Sequence, residues 1–541
     1  MGNELLKECM KRGFLLDRSI MDIFNELSEE NGFALLDIIL KINLKNKILS
    51  KKALEENLDL IKQSLLSSGS IDFISEFFEG QINVNNGNNN VEQVENINAN
   101  NSRKKKSDIK IISSPAFIQR KIVINDFIAH FRNRYEKIKG MLESKNLENL
   151  TSIRKIGKNK GNYTIIVSVL NKRITKNKNT LLDVEDMTGN CSVLINNSKD
   201  DLGKIGKSIL PDDIVAINLT NSGSFMFVDD VLYPESGISK KNKIDEDIWV
   251  AFTGDLHVGS KMFLEKNFLK FTEWLNGNNG TEEQKELAKK VKYLFFVGDN
   301  IDGVSHYPGQ EKYLDLKTSV EQYKRVEELI RLIRNDLDII MCPGQHDSVW
   351  VGEPQPIIGE EFAKGLYKIP NLHLVPNPSL VKIKNSFNIL MYHGASINYF
   401  IDEIPEIRSK YKHNNPTRVV QEMLKRRHLA PLHGLADYIP CEEDSLVIDQ
   451  SPDIVLTGDQ HRSEVSTRNN ILLVASSCWQ SITPFEEKVG NNPDPCKVPL
   501  FNLKTREIKI LDFSLDSEEI LEENKIEDEL DNFENIKEAK K

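Results

Sequence analysis

With 541 residues the chain is too long for one hydrophobic core, so several domains are expected. Apolar residues make up 39% and charged residues 28%, as in soluble globular proteins, and no apolar run approaches the roughly 20 residues that span a bilayer. The net charge of −10 excludes nucleic-acid binding through a basic average, leaving only local basic patches.

Apolar positions at helical spacing, such as Ile20, Ile23, Phe24 and Leu27, predict a helical N-terminal domain over residues 1–80. Residues 81–110 are Asn-rich and contain the run Arg103-Lys104-Lys105-Lys106. They predict a disordered linker, whose basic run is more simply a solvated linker end than a DNA tether. A helical connector is expected over 111–146. From 147 to 240 the pattern changes to short alternating strands, among them NYTIIVSVLNKRIT and TLLDVEDMTGNCSVLI, with a Thr188-Gly189 turn. Some five strands of this kind suit a small barrel of the OB type. Tyr163, Phe225 and Phe227 are too few aromatics to support a base-stacking platform.

Residues 245–515 alternate very apolar strand-like runs with helical segments such as SVEQYKRVEELIRLIRND, predicting a layered α/β domain. The remainder, 516–541, is an acidic tail with Ile526, Leu530 and Phe533 at helical spacing. The six cysteines form no CxxC pair, which excludes a zinc ribbon and suits a reduced intracellular chain.

The candidate chemistry lies in the α/β block, where nine of the ten histidines fall. Its segments IWVAFTGDLHVGS, YLFFVGDNIDG, IIMCPGQHDS, NILMYHGAS and DIVLTGDQHRSE are apolar runs that stop abruptly in Gly, Asp or His. In helix-covered sheets, ligand sites gather at carboxyl ends of strands. Five such endings furnished with metal-binding side chains exceed what turn chemistry requires. Asp255 and His257, one residue apart, can face one centre, and Asp299 can bridge two cations through its two oxygens. His393 and His461 suit manganese, iron or zinc better than calcium.

This series (DLH, GDxxD, GxHD, HG, GxxH) resembles the calcineurin-like metallophosphoesterases. Together with the upstream barrel, DFIAHFRNRYEKIKGML and NPTRVVQEMLKRRHLAPLHG, it is similar to the small subunits of archaeal family-D DNA polymerases. The resemblance implies a sandwich of two mixed sheets flanked by helices and preceded by an OB barrel. It also implies two divalent metals, Mn2+ in the first place, with Mg2+, Fe2+ or Zn2+ as substitutes. Asp255, His257, Asp299 and His461 would hold the first metal; Gln345, His393 and Asp459, beside the bridging Asp299, would hold the second. His346 would steady the phosphate and protonate the leaving oxygen, with Asp302 and Asp347 orienting neighbours. Two positions depart from the pattern: Gln345 stands where Asn is usual, and Asp459 replaces a histidine. Both fall on the second metal.

The resemblance further implies a 3′→5′ exonuclease that proofreads for a large catalytic subunit, acting on single-stranded 3′ ends. A sliding clamp is a further candidate partner, the location is cytoplasmic and nucleoid-associated, and no membrane is involved. The alternative is a scaffold that stabilises the large subunit without catalysis; retention of the metal ligands favours the enzyme. Isolated residues receive structural readings: His306, His373, His413, His428 and His433 as ordinary histidines, Trp350 and Trp479 as packing aromatics, and Cys478 as a buried small residue. For Lys425-Arg426-Arg427, phosphate contact and an exposed helix face are equally expected.

Overall fold

The computed structural model describes residues 108–115, 120–157, 159–434 and 436–514, together with the paired short strands Leu15–Leu16 and Ile48–Leu49. The expected N-terminal helical domain, the linker up to residue 107 and the acidic tail lie outside the described residues. The connector differs from expectation. Its first part is a strand, β1 (Ile109–Ser113), followed by the helix α1 (Ile124–Glu143). The run IKIIS is β-branched, and it finds an open sheet edge to pair with, so extended structure wins over the predicted linker and helix.

The alternating region forms a closed barrel of β2 (Gly161–Ile174), β3 (Thr180–Asp186), β4 (Gly189–Ile195), β5 (Ile214–Asn221) and β6 (Met226–Leu232), with α2 (Asp200–Ser208) between β4 and β5. Neighbours run β2-β3-β4-β6-β5, and β5 closes back onto β2. The β3–β4 turn is held by the Asp186 carboxylate, which accepts from the Thr188 amide (2.7 Å) and hydroxyl (2.6 Å). Alternate residues such as Ile165, Val167, Val169, Leu182 and Val184 fill the interior.

The α/β block begins with β7 (Trp249–Thr253), α3 (Glu265–Leu275), α4 (Glu282–Lys290), β8 (Val291–Val297), α5 (Ser319–Arg331), β9 (Asp338–Cys342) and β10 (Leu372–Leu374). It continues through β11 (Ser379–Ile383), β12 (Phe387–Met391), α6 (Ile397–Glu403), α7 (Pro416–Arg426), β13 (Ile454–Thr457) and β14 (Glu464–Arg468). It ends with β15 (Ile471–Ala475), α8 (Pro484–Val489), β16 (Lys497–Asn502) and β17 (Ile508–Asp512). Two six-stranded mixed sheets result, ordered β10-β9-β8-β7-β16-β17 and β14-β15-β13-β12-β11-β1.

Strand periodicity explains the layering. Along β7, Val250 and Phe252 enter the core between the sheets, where they meet Ile389, Met391 and Leu456. Trp249 and Ala251 face the other way, onto a layer built from Phe268, Phe271, Tyr323, Val326 and Ile330 of α3 and α5. Each fully buried Phe contributes roughly 2–3 kcal/mol. Helices α6 and α7 cover the second sheet through Phe400, Val419, Val420 and Met423. Burial on both faces is why these strands read as continuous apolar runs instead of alternating ones.

The barrel is riveted to the sandwich by buried cations, and here the basic run departs from both expectations. Arg426 and Arg427 are 3% and 6% exposed, so neither forms an exposed helix face nor offers a guanidinium to phosphate. Arg426 donates to Asp213 Oδ1 (2.7 Å) and the Ser208 carbonyl (2.8 Å), both from the barrel region, and pairs with Glu422. Arg427 donates to the carbonyls of Ile448 (2.6 Å) and Asp449 (2.5 Å). The half-buried Lys425 lies 4.1 Å from the ring centre of Tyr233. A run of cations at the end of a helix looks the same in sequence whether it meets water or buried acceptors. A second rivet joins α1: Arg134, His130 and His428 surround Asp444 at 2.5, 3.2 and 3.0 Å.

Candidate metal centre

Parallel pairing of β7, β8 and β9 in one sheet, and of β12 and β13 in the other, brings five carboxyl-terminal loops together. Asp255 and His257 follow β7, Asp299 follows β8, Gln345 and His346 follow β9, His393 follows β12, and Asp459 and His461 follow β13. Five of these residues adopt left-handed backbone: φ is 49° at Asp255, 51° at His257, 45° at Asp299, 66° at Asp459 and 54° at His461. Non-glycine residues take this conformation at a cost of order 1–3 kcal/mol each, and clusters of them mark functional loops. Cross-bonds hold the strain: Asp255 N donates to the Gly298 carbonyl (3.0 Å), His257 N to the Asp299 carbonyl (3.0 Å) and Gly458 N to the His393 carbonyl (2.8 Å). At Gly298, with φ 81°, a Cβ would fall 2.2 Å from His393 Nδ1. The imidazole therefore depends on the missing side chain.

Five of the side chains lie close together. His461 Nε2 lies 3.0 Å from His257 Nε2 and 3.6 Å from Asp255 Oδ1. His393 Nε2 lies 3.2 Å from Asp299 Oδ2 and 4.0 Å from Asp255 Oδ1, and Asp299 Oδ2 is 3.8 Å from His257 Nε2. Asp255, His257 and His461 form one potential metal-holding group; Asp255, Asp299 and His393 form another. In the loop after β9 the buried Gln345 Oε1 has no hydrogen-bond partner, and the Nε2 of His393 has only the Asp299 carboxylate beside it, at 3.2 Å. Such atoms are costly unless an electropositive ligand satisfies them, so the donor set fits divalent cations. Asp459 is the outlier. It belongs to neither group, and its Oδ2 accepts from Gln460 Nε2 at 2.7 Å and Asn398 Nδ2 at 3.4 Å.

The charges are strongly coupled. Burial pushes the Asp255 carboxyl up to about 7, against the pull of the His393 and His461 rings. Burial also opposes ionisation of Asp299, but His393 and His346 outweigh it and hold that carboxyl well below the usual range. His393 is displaced upward despite burial, chiefly by Asp299. The pocket is therefore one in which positive charge is favoured.

The supporting residues divide into expected and missed. Asp302 Oδ1 lies 3.2 Å from His257 Nδ1. Asp347 accepts from the amides of Asn300 (3.1 Å) and Gly344 (2.9 Å) and from the Tyr323 hydroxyl (2.8 Å), which pins the loop carrying Gln345 and His346. His346 N donates to Asp299 Oδ1 at 2.8 Å, and its Nδ1 is 2.7 Å from the Asp302 carbonyl oxygen. That carbonyl requires a proton on Nδ1 and so leaves Nε2 as the ring atom open to other partners. Sequence reading missed Glu486, 2.8 Å from His461 Nδ1, and Gln310 and Gln480, which donate to Asp302 at 2.9 and 3.1 Å. The signal available for Glu486 was the Thr483–Glu486 capping box of α8.

The structural readings hold for several residues. Trp479 is buried, with Nε1 donating to Thr253 Oγ1 at 2.7 Å, and Cys478 is fully buried. The described cysteines are all free, and among the described residues no helix is long and apolar enough to cross a membrane.

Residues 250–466 match the family of B subunits of DNA polymerases alpha and epsilon. The DNA polymerase II small subunit of Methanothermobacter thermautotrophicus is 37% identical over 393 residues, covering 72% of this chain and 80% of that protein. The Pyrococcus furiosus protein of the same description is 32% identical over 400 residues, 73% of this chain and 64% of its own length. A solved structure described as a novel archaeal phosphodiesterase is 13% identical, with TM-score 0.24, over 49% of this chain and 99% of that one. A shared length of this extent at this identity, spanning barrel and sandwich alike, places the chain in the family of archaeal DNA polymerase II (family D) small subunits.

Proposed function

We propose that the chain serves a large catalytic polymerase subunit as a metal-dependent 3′→5′ exonuclease, hydrolysing phosphodiesters at single-stranded DNA ends. The observation that carries this reading is the convergence of Asp255, His257, Asp299, His393 and His461 in two groups able to hold a metal, which share Asp255. Asp255, His257, Asp299 and His461 would hold one divalent cation, and Asp299, Gln345, His393 and Asp459 a second. Such cations, when bound, polarise a phosphodiester and supply a hydroxide nucleophile at neutral pH. Mixed imidazole and carboxylate donors suit manganese well.

The protein's own part is positioning and proton transfer. Glu486 and Asp302 fix the rings of His461 and His257 through their Nδ1 atoms. His346, whose Nδ1–H is directed at the Asp302 carbonyl, would turn Nε2 toward a scissile phosphate; the doubly protonated ring gives its Nε2 proton to the departing 3′ oxygen, becomes neutral, and is reprotonated from solvent. The closed five-stranded barrel, read as one of the OB type, suits either a nucleic-acid strand or the partner subunit.

A second reading, a scaffold of weak or no activity, draws support from Asp459, whose carboxylate is engaged by Gln460 and Asn398. One experiment separates the two. The chain in complex with its large subunit and manganese should shorten 3′ single strands, and His346→Ala should reduce this by roughly 10²–10⁴-fold with metal content unchanged. Intact DNA under these conditions would leave the scaffold reading.

A further inference from the structure

The imidazoles of the site form a row that ends in solvent. The rings of His461 and His257 are 4.9 Å apart, those of His257 and His346 4.9 Å at 80°, and those of His346 and His306 4.7 Å at a near-parallel 28°. The first two of these residues are buried; His306 is exposed. It therefore stacks on the proton-donating ring and is itself accessible to solvent.

The position is built, not incidental. The His306 amide donates to Gln310 Oε1 at 2.9 Å, and the buried Gln310 donates onward to the carbonyl oxygen and carboxylate of Asp302. The base of the loop is clamped by Gln322, which accepts from Gly303 N (2.9 Å) and donates to the Gly303 (3.1 Å) and Leu316 (2.9 Å) carbonyls. A surface imidazole without a role needs no such fixing.

We infer that His306 is a substrate-positioning residue whose outer face stacks on a nucleobase on the leaving side of the scissile phosphate. This rests on the phosphodiesterase reading: His346 protonates the leaving oxygen, so the leaving nucleotide must sit beside it, and His306 is the next ring outward. An aromatic face accepts any base, which suits sequence-independent trimming of a strand end.

The test is binding, so that it does not depend on turnover. The affinity of the full chain with manganese for a phosphorothioate single-stranded oligonucleotide is measured by fluorescence anisotropy. His306→Ala should weaken it about tenfold, and His306→Phe should restore it to within about threefold. On an oligonucleotide abasic at the nucleotides around the 3′ end, wild type and His306→Ala should bind alike. An unchanged affinity in His306→Ala, failure of the Phe variant to rescue, or an equal loss on the abasic strand would each overturn the assignment. Base-dependent binding through His306 in a chain that cuts no DNA would uphold it while defeating the hydrolytic reading.

Discussion

Replacing Arg426 with Met decides between two meanings of a basic run. The substitution keeps most of the apolar volume and removes a guanidinium that is 3% exposed. Asp213 then loses its 2.7 Å partner and keeps only the Leu210 amide (2.9 Å) and the more distant Tyr233 hydroxyl (3.3 Å). The Ser208 carbonyl loses its 2.8 Å donor as well. Breaking a buried pair by deleting one partner typically costs about 3–5 kcal/mol, because the surviving charge stays desolvated. The retained contacts put the expectation near the lower end, about 3 kcal/mol, or roughly two decades in the unfolding equilibrium. Urea denaturation followed by tryptophan fluorescence reads the sandwich directly, since Trp249, Trp274, Trp350 and Trp479 all lie there. The double variant Arg426→Met/Asp213→Asn should recover much of the loss, because the stranded charge is gone. If Arg426 instead contacted DNA phosphates, stability would change by less than about 0.5 kcal/mol. The salt dependence of DNA affinity would then fall by about one unit of slope. That pair of results would refute the rivet.

Other outcomes follow from the site and its supports. Glu486→Gln should weaken metal binding about 10–100-fold, seen by titration calorimetry, because His461 loses the carboxylate that orients it. Manganese at about a hundred times its dissociation constant should raise the unfolding free energy by about 2.7 kcal/mol over the chelator-treated chain, and Gln345→Ala should diminish that gain. Burial, reinforced by Arg134, pushes the His428 imidazole down to about 4. The unfolded chain takes up this proton near 6.5 and the folded chain only near 4, so stability is complete above 6.5 and is lost as pH falls between these values. About 3 kcal/mol should disappear over that window, and denaturation midpoints should fall less steeply with pH in His428→Gln.

Much of the metal centre was legible because its residues interrupt apolar runs, and an interruption at a strand end is visible in one dimension. The same applies to the barrel, whose strands alternate and whose turns carry Asp186 and Thr188. Glu486, Gln310 and Gln480 were not legible, since nothing in a lone polar residue says which distant histidine or aspartate it will meet. The strand Ile109–Ser113 was missed for a related reason: its stability comes from pairing with Ser379–Ile383, some 270 residues away. Arg426 and Arg427 show the limit of charge patterning, which reports sign but not depth.

That early strand has a consequence for how the molecule can be divided. The chain enters the sandwich at β1 of the second sheet, leaves to build α1 and the barrel, and returns to the sandwich only at β7 of the first sheet. The barrel is therefore an excursion from the sandwich, tethered at both ends, and no single cut yields two intact halves. A fragment starting at residue 245 would leave the backbone of β11 bare along one side, an edge open to pairing with other chains and to aggregation. A fragment starting near residue 106 keeps that edge sealed, and is the longer piece, the one expected to remain monodisperse.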